Sequence, residues 1–149
     1  MKARVCRLFI AAAAAVGMID VAVAQQDQSL GQKEFQTSCV SCHGEGGKGD
    51  GPVAKSLIKQ PPDLTRLSEN NNGVFPVSRI YEVIDGRIQT MVHGTRDMPV
   101  WGSVYMQGLT NPGSRDFASK EMAEAIVRAR ILMLVEYIST LQTKKRGSR

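Results

Sequence analysis

Three side chains within five consecutive positions carry the chemistry of this chain: the pentapeptide Cys39-Val40-Ser41-Cys42-His43. Two thiols three positions apart can each add to one vinyl group of a single porphyrin, giving two thioether bonds. The imidazole that follows can swing beneath the iron as an axial ligand. C-x-x-C-H therefore reads as a c-type haem attachment site, and neutral imidazole is a common metal ligand. Other uses of the same residues fit less well. A thioredoxin-like redox pair wants a βαβ context, and no such pattern follows. A zinc site wants about four ligands, usually from a second Cys/His pair, and the chain has no second pair.

A haem held by one imidazole keeps an open face, and the group that fills it decides function. Methionine opposite histidine raises the potential relative to paired histidines. The candidates are Met91, His93, Met98, Met106, Met122 and Met133. Met122 and Met133 fall on the last helical segment, where methionine is usually core. Met98 precedes Pro99, and proline fixes its own φ and holds the preceding residue extended. Met98 is therefore the expected ligand, with His93 and then Met91 as alternatives.

The elements that must position these groups are helical. Ser29 to Ser38 reads as a short helix running into the haem motif, with Ser29 as N-cap, Gln32 completing a capping box, and Leu30 and Phe35 as its large apolar residues. Ser78 to Asp85 reads as a second, with Val77, Ile80, Tyr81 and Ile84 on one face and Gly86 just past its end. The last begins after Ser119, with Glu121 and Glu124 in its first turns. Its stripe is Val127, Ile131, Leu134, Ile138 and Leu141, and the apolar run Ile131 to Val135 suggests burial on more than one side. Gln89 to Gly113 reads as loop. The five glycines between Gly44 and Gly51 match no phosphate-binding pattern; they suit positive φ or close backbone approach. No strand pattern of useful length appears, so the expected fold is all-α, three to five helices wrapped around a haem.

Residues 1–24 read as an export signal: Lys2, Arg4 and Arg7, an apolar run from Leu8 to Val16, and an Ala22-Val23-Ala24 cleavage site. The run is too short to anchor in a bilayer, and the expected location is the periplasm. Cleavage after Ala24 removes Cys6, so both remaining thiols belong to the motif. It also removes three basic residues and Asp20, taking the net charge from +5 to +3. A single domain is expected over 25–142, then a disordered basic tail over 143–149. The body of the chain lacks the basic stripe with aromatics that nucleic-acid binding wants, and Arg128, Arg130 and Glu136 bracket the last apolar run too closely for a membrane span.

With these residues in place the chain resembles the class I c-type cytochromes, the small monohaem periplasmic ones of bacteria. The resemblance runs from Gly31 and Phe35 through Cys39-x-x-Cys42-His43-Gly44, Gly49-Asp50-Gly51-Pro52 and Pro62-Asp63-Leu64-Thr65. It continues through the helix ending at Gly86, Met98-Pro99-x-Trp101-Gly102, and the final helix with Tyr137, Ile138 and Leu141. It implies one haem c bonded to Cys39 and Cys42, with iron between His43 and Met98. It implies that the Pro52 carbonyl accepts the other His43 ring N–H, as such outer partners orient a metal-bound histidine. Gly31 and Phe35 would cross the last helix near Tyr137. Trp101 would flank a haem edge or propionate, or simply lie in the core. The stretch between Gly102 and Ser119 is longer than in the shortest members; it could cover the haem edge, contact a partner, or be a neutral insertion.

The function expected is electron carriage between Fe(III) and Fe(II), with a donor and an acceptor protein such as a membrane-bound oxidase or a periplasmic dehydrogenase. The alternative is a cytochrome subunit of a larger periplasmic oxidoreductase acting on a sulfur compound or an alcohol. A small haem peroxidase or gas sensor needs an open sixth position. No other catalytic set is visible: His93 has no activated nucleophile beside it, and Asp50, Asp63 and Asp97 read as turn and cap residues.

Overall fold

A computed structural model describes residues 29–87 and 98–143. The expected export signal, Met91, His93, Asp97 and the tail from residue 144 lie outside the described residues. Within them the chain is helical and no strand forms.

Helix α1 spans Leu30–Ser38. Its N-cap is Ser29, whose Oγ accepts from the Gln32 N–H at 3.1 Å, so one of the donors that a helix start leaves orphaned is satisfied. Phe35 is fully buried, while Leu30 stays 65 % exposed and adds little to the core. α1 passes at Cys39 into a single turn, α2, over Val40–His43. After three short 3-10 turns comes α3, Val77–Asp85, closed by Gly86 at φ 68°. Helix α4 spans Trp101–Thr110 and α5 spans Lys120–Thr140, its N-cap Ser119 accepting from the Met122 N–H.

Helix α4 overturns the reading of 89–113 as loop. Trp101, Tyr105 and Leu109 recur at i, i+4 and i+8, and Tyr105 and Leu109 are buried. Gly102 and Gly108 conceal that period, since glycine costs about 1 kcal/mol in a helix interior. The stretch from Ser103 to Thr110 is thus helix, with Tyr105 and Leu109 in the core. It turns tightly into α5: Ser114 donates to the Asn111 carbonyl at 2.9 Å and Ala118 to the Leu109 carbonyl at 2.9 Å.

Helix α5 packs against α1, α3 and α4. The expected stripe is its buried face: Val127, Ile131, Leu134 and Ile138, joined by Ala123 and Val135. Burial all round the Ile131 to Val135 segment does not hold, because Leu132 is 44 % exposed. Where α1 crosses α5, Phe35 meets Tyr137 with ring centroids 5.3 Å apart. Thr143, expected to open the tail, donates from its N–H to the Thr65 carbonyl at 2.9 Å.

The crossing requires glycine at position 31. A Cβ there would collide with the Met133 carbonyl, a main-chain group that cannot rotate away. Gly31→Ala should therefore destabilise the protein by about 3 kcal/mol, the upper end of overpacking costs. Gly108 offers the opposite case: a Cβ meets nothing within 4 Å, so Gly108→Ala should stabilise by about 0.5–1 kcal/mol. Chemical denaturation of the two variants checks both signs; equal midpoints would contradict the packing described.

Candidate functional site

The handover from α1 to α2 gathers the three donors. The Cys39 N–H donates to the Phe35 carbonyl at 2.9 Å, ending α1, and the His43 N–H donates to the Cys39 carbonyl at 2.9 Å. Residues three and four apart share a helix face, so one turn presents Cys39, Cys42 and His43 together. The following loop folds back onto this turn. Gly49 donates to the His43 carbonyl at 2.9 Å, Gly51 to the Cys42 carbonyl at 3.2 Å, and Val53 to the Ser41 carbonyl at 3.0 Å. Gly51 lies so close that a Cβ would strike the Val40 and Ser41 carbonyls.

Both cysteines are free and half-buried. Burial, then the Glu34 charge and Cys42, push the Cys39 thiol up to about 12. Redox-active thiols have depressed values, so Cys39 has the wrong electrostatics for a dithiol switch and suits a sulfur capped by carbon. Among the described residues no group of three or more His, Cys, Asp or Glu gathers to hold a metal ion. A bare ion wants about four protein donors, whereas two thiols and one imidazole suit a metal brought by its own macrocycle.

His43 fits that role. Burial lowers its pKa, which favours the neutral, ligating imidazole. Its Nδ1 is enclosed with no hydrogen-bond partner, so Nε2 is the nitrogen left to a ligand. The carbonyl that acts on the ring belongs to Pro62 and raises the pKa against the burial. Pro52, the expected carbonyl, is exposed and lines a shallow depression with Val40, Gly44 and Lys48. The reason is the path of the chain. Leu64 donates to the Gly47 carbonyl at 2.7 Å, and Gly49 abuts Pro61 and Pro62, which lays the 61–64 segment across the loop.

Met98 is half-buried and packs on the same apolar body as Cys39, Val40, Leu64, Leu67, Tyr81 and Trp101. The cysteine expected to bear haem and the expected thioether ligand thus border one core. Trp101 opens α4, half-buried, its ring 5.6 Å from that of Tyr105.

Sequence reasoning missed two polar clusters. Arg87 donates to Asp85 at 2.7 Å and to both Glu124 oxygens at 2.8 and 2.9 Å, tying the end of α3 to α5. Beside Cys39, Glu34 accepts from Ser38 Oγ at 2.7 Å, Tyr105 OH at 2.7 Å and Arg130 Nε at 2.7 Å. Arg130 also lies over the Tyr105 ring, 4.2 Å from its centroid. Burial raises the Glu34 pKa, but the bonds from Ser38, Tyr105 and Arg130 and the Arg130 charge outweigh it and hold the group below its ordinary 4.5. A lowered folded value gives stability that is present above pH 4.5 and lost as pH falls through that lowered value. Thermal melting from pH 6 to 3 should show a steeper acid loss in the wild type than in Glu34→Gln; parallel curves would contradict the assignment.

A helical fold that presents C-x-x-C-H on one turn, with neutral imidazole and apolar surroundings, defines a c-type cytochrome domain. Residues 26–108 match the family model described as cytochrome C oxidase, cbb3-type, subunit III, and the chain belongs to that family. Such a domain carries covalently bound haem c with iron and serves haem-based electron transfer. No curated protein and no solved structure matches the chain.

Proposed function

We propose that the protein is an exported one-electron carrier of the periplasm with His43 and Met98 as its axial iron ligands. When bound, the haem supplies a reversible Fe(III)/Fe(II) couple. The chain supplies everything else. Cys39 and Cys42 fix the porphyrin to one turn of helix. His43 offers Nε2 to the iron, and the Pro62 carbonyl lies against the ring and acts on its charge. Met98, held extended by Pro99, would hold the iron through its sulfur and so keep small ligands off. Trp101 and the shared core would supply the apolar surroundings of the cofactor. The observation that carries this reading is the placement of Cys39 and Met98 on one apolar body.

A visible spectrum taken during redox titration, with and without carbon monoxide, tests it. A far-red thioether–iron band in the oxidised protein and no carbon monoxide binding after reduction are expected. Carbon monoxide binding at neutral pH would instead indicate an open iron and an enzyme or a sensor. The family description, a subunit of an oxidase, favours one second reading: the same chemistry within a permanent oxidoreductase complex. A stable co-purifying redox subunit would support that over a free carrier. Among the described residues no helix is long and apolar enough to cross a membrane.

A further inference from the structure

We propose that Glu34 is a positioning residue for the redox couple: a fixed negative charge, secured by Ser38, Tyr105 and Arg130, that acts on the Cys39 end of the haem and lowers its reduction potential. The inference rests on haem being bonded to Cys39. Glu34 lies on α1 five residues ahead of that cysteine and bonds to Ser38, the residue next to it, and its side chain is only 11 % exposed. All its partners are donors, one on its own helix, one on α4 and one on α5. Among the described residues no other charged group bonds to it, and Cys39 no longer titrates once it is a thioether. Its charge already acts on the Cys39 sulfur, where it raises the thiol pKa after burial does.

Arg130 does not cancel this field. Its side chain is 40 % exposed against 11 % for Glu34, so water screens the cation more than the anion. The net charge beside Cys39 is then negative, and a negative charge there would favour Fe(III) over Fe(II). The couple stays a one-electron exchange with no proton in the wild type, because the carboxylate is held ionised. Stability alone is a weak reason for such a group, since an ion pair drawn out of water often gains nothing over apolar packing.

Potentiometric titration of the holoprotein from pH 5 to 9 tests the proposal. Glu34→Gln should raise the potential, by up to about tenfold in the reduction equilibrium, or about 59 mV for one electron. Tyr105→Phe, which keeps the ring and removes one donor, should lower it. Arg130→Gln should make it pH-dependent, falling as pH rises and the unpaired carboxyl ionises. Arg128→Gln, which removes the same formal charge from an exposed site on α5, should leave it unchanged. An unmoved or lowered potential in Glu34→Gln overturns the proposal. If that variant yields no holoprotein, unmoved potentials in the other two overturn it; failure of all three to load haem does so too, showing a network needed only for folding. A wild type without the thioether–iron band would remove Met98 as ligand yet leave the sign of these shifts intact.

Discussion

Met98→Ala should keep its covalent haem and lose its high potential. The two thioether sulfurs and His43 are untouched by the change, so maturation proceeds and the protein stays coloured. On the proposed ligation, losing this sulfur deprives the iron of the ligand that favours its reduced state. Axial ligands set haem potentials over roughly 0.8 V, and a drop of about 0.2–0.3 V is expected. The vacated face should take carbon monoxide after reduction. Met98 lies at the edge of the core rather than within it, so the fold survives and the effect reads on the iron alone. Potentiometry and the carbon monoxide difference spectrum check both halves. An unchanged potential would transfer the role to Met91 or His93.

His43→Ala should accumulate no mature holoprotein. The imidazole is the one donor that the attachment turn offers to the iron, and its Nδ1 is already enclosed, so no neighbour can take its place from the same turn. Removing it leaves the macrocycle tethered by sulfur at most, with its metal unheld on that side. The helices then lack the flat apolar body that completes the core of a small domain. Haem staining of exported protein should fall to background, at least tenfold below wild type. Normal yield of a pigmented variant would contradict His43 as a ligand.

The donors were legible because covalent chemistry fixes their spacing locally, and one helical turn suffices to gather them. Helices α1, α3 and α5 were legible from their caps and apolar periods, since Ser29, Gly86 and Ser119 mark ends by chemistry that acts within four residues. Helix α4 was hidden by two glycines that packing accommodates. A carbonyl partner of His43 is a main-chain atom, and nothing in a side-chain pattern distinguishes Pro52 from Pro62; the bond from Leu64 to the Gly47 carbonyl, which lays 61–64 over the loop, is equally silent in the sequence. The Glu34 network was invisible for another reason. Its partners lie 71 and 96 positions away, and no local pattern announces a buried carboxylate whose donors arrive from two other helices.

The central claim is that haem is bonded through sulfur to Cys39 and Cys42. Acid–acetone extraction of the purified exported protein, followed by thiol alkylation and mass analysis of the peptide holding 39–43, tests it most directly. Pigment that stays with the protein, and a peptide carrying one haem with neither cysteine alkylated, is the expected result. Pigment that washes away, or two alkylated cysteines on a colourless peptide, would contradict the account.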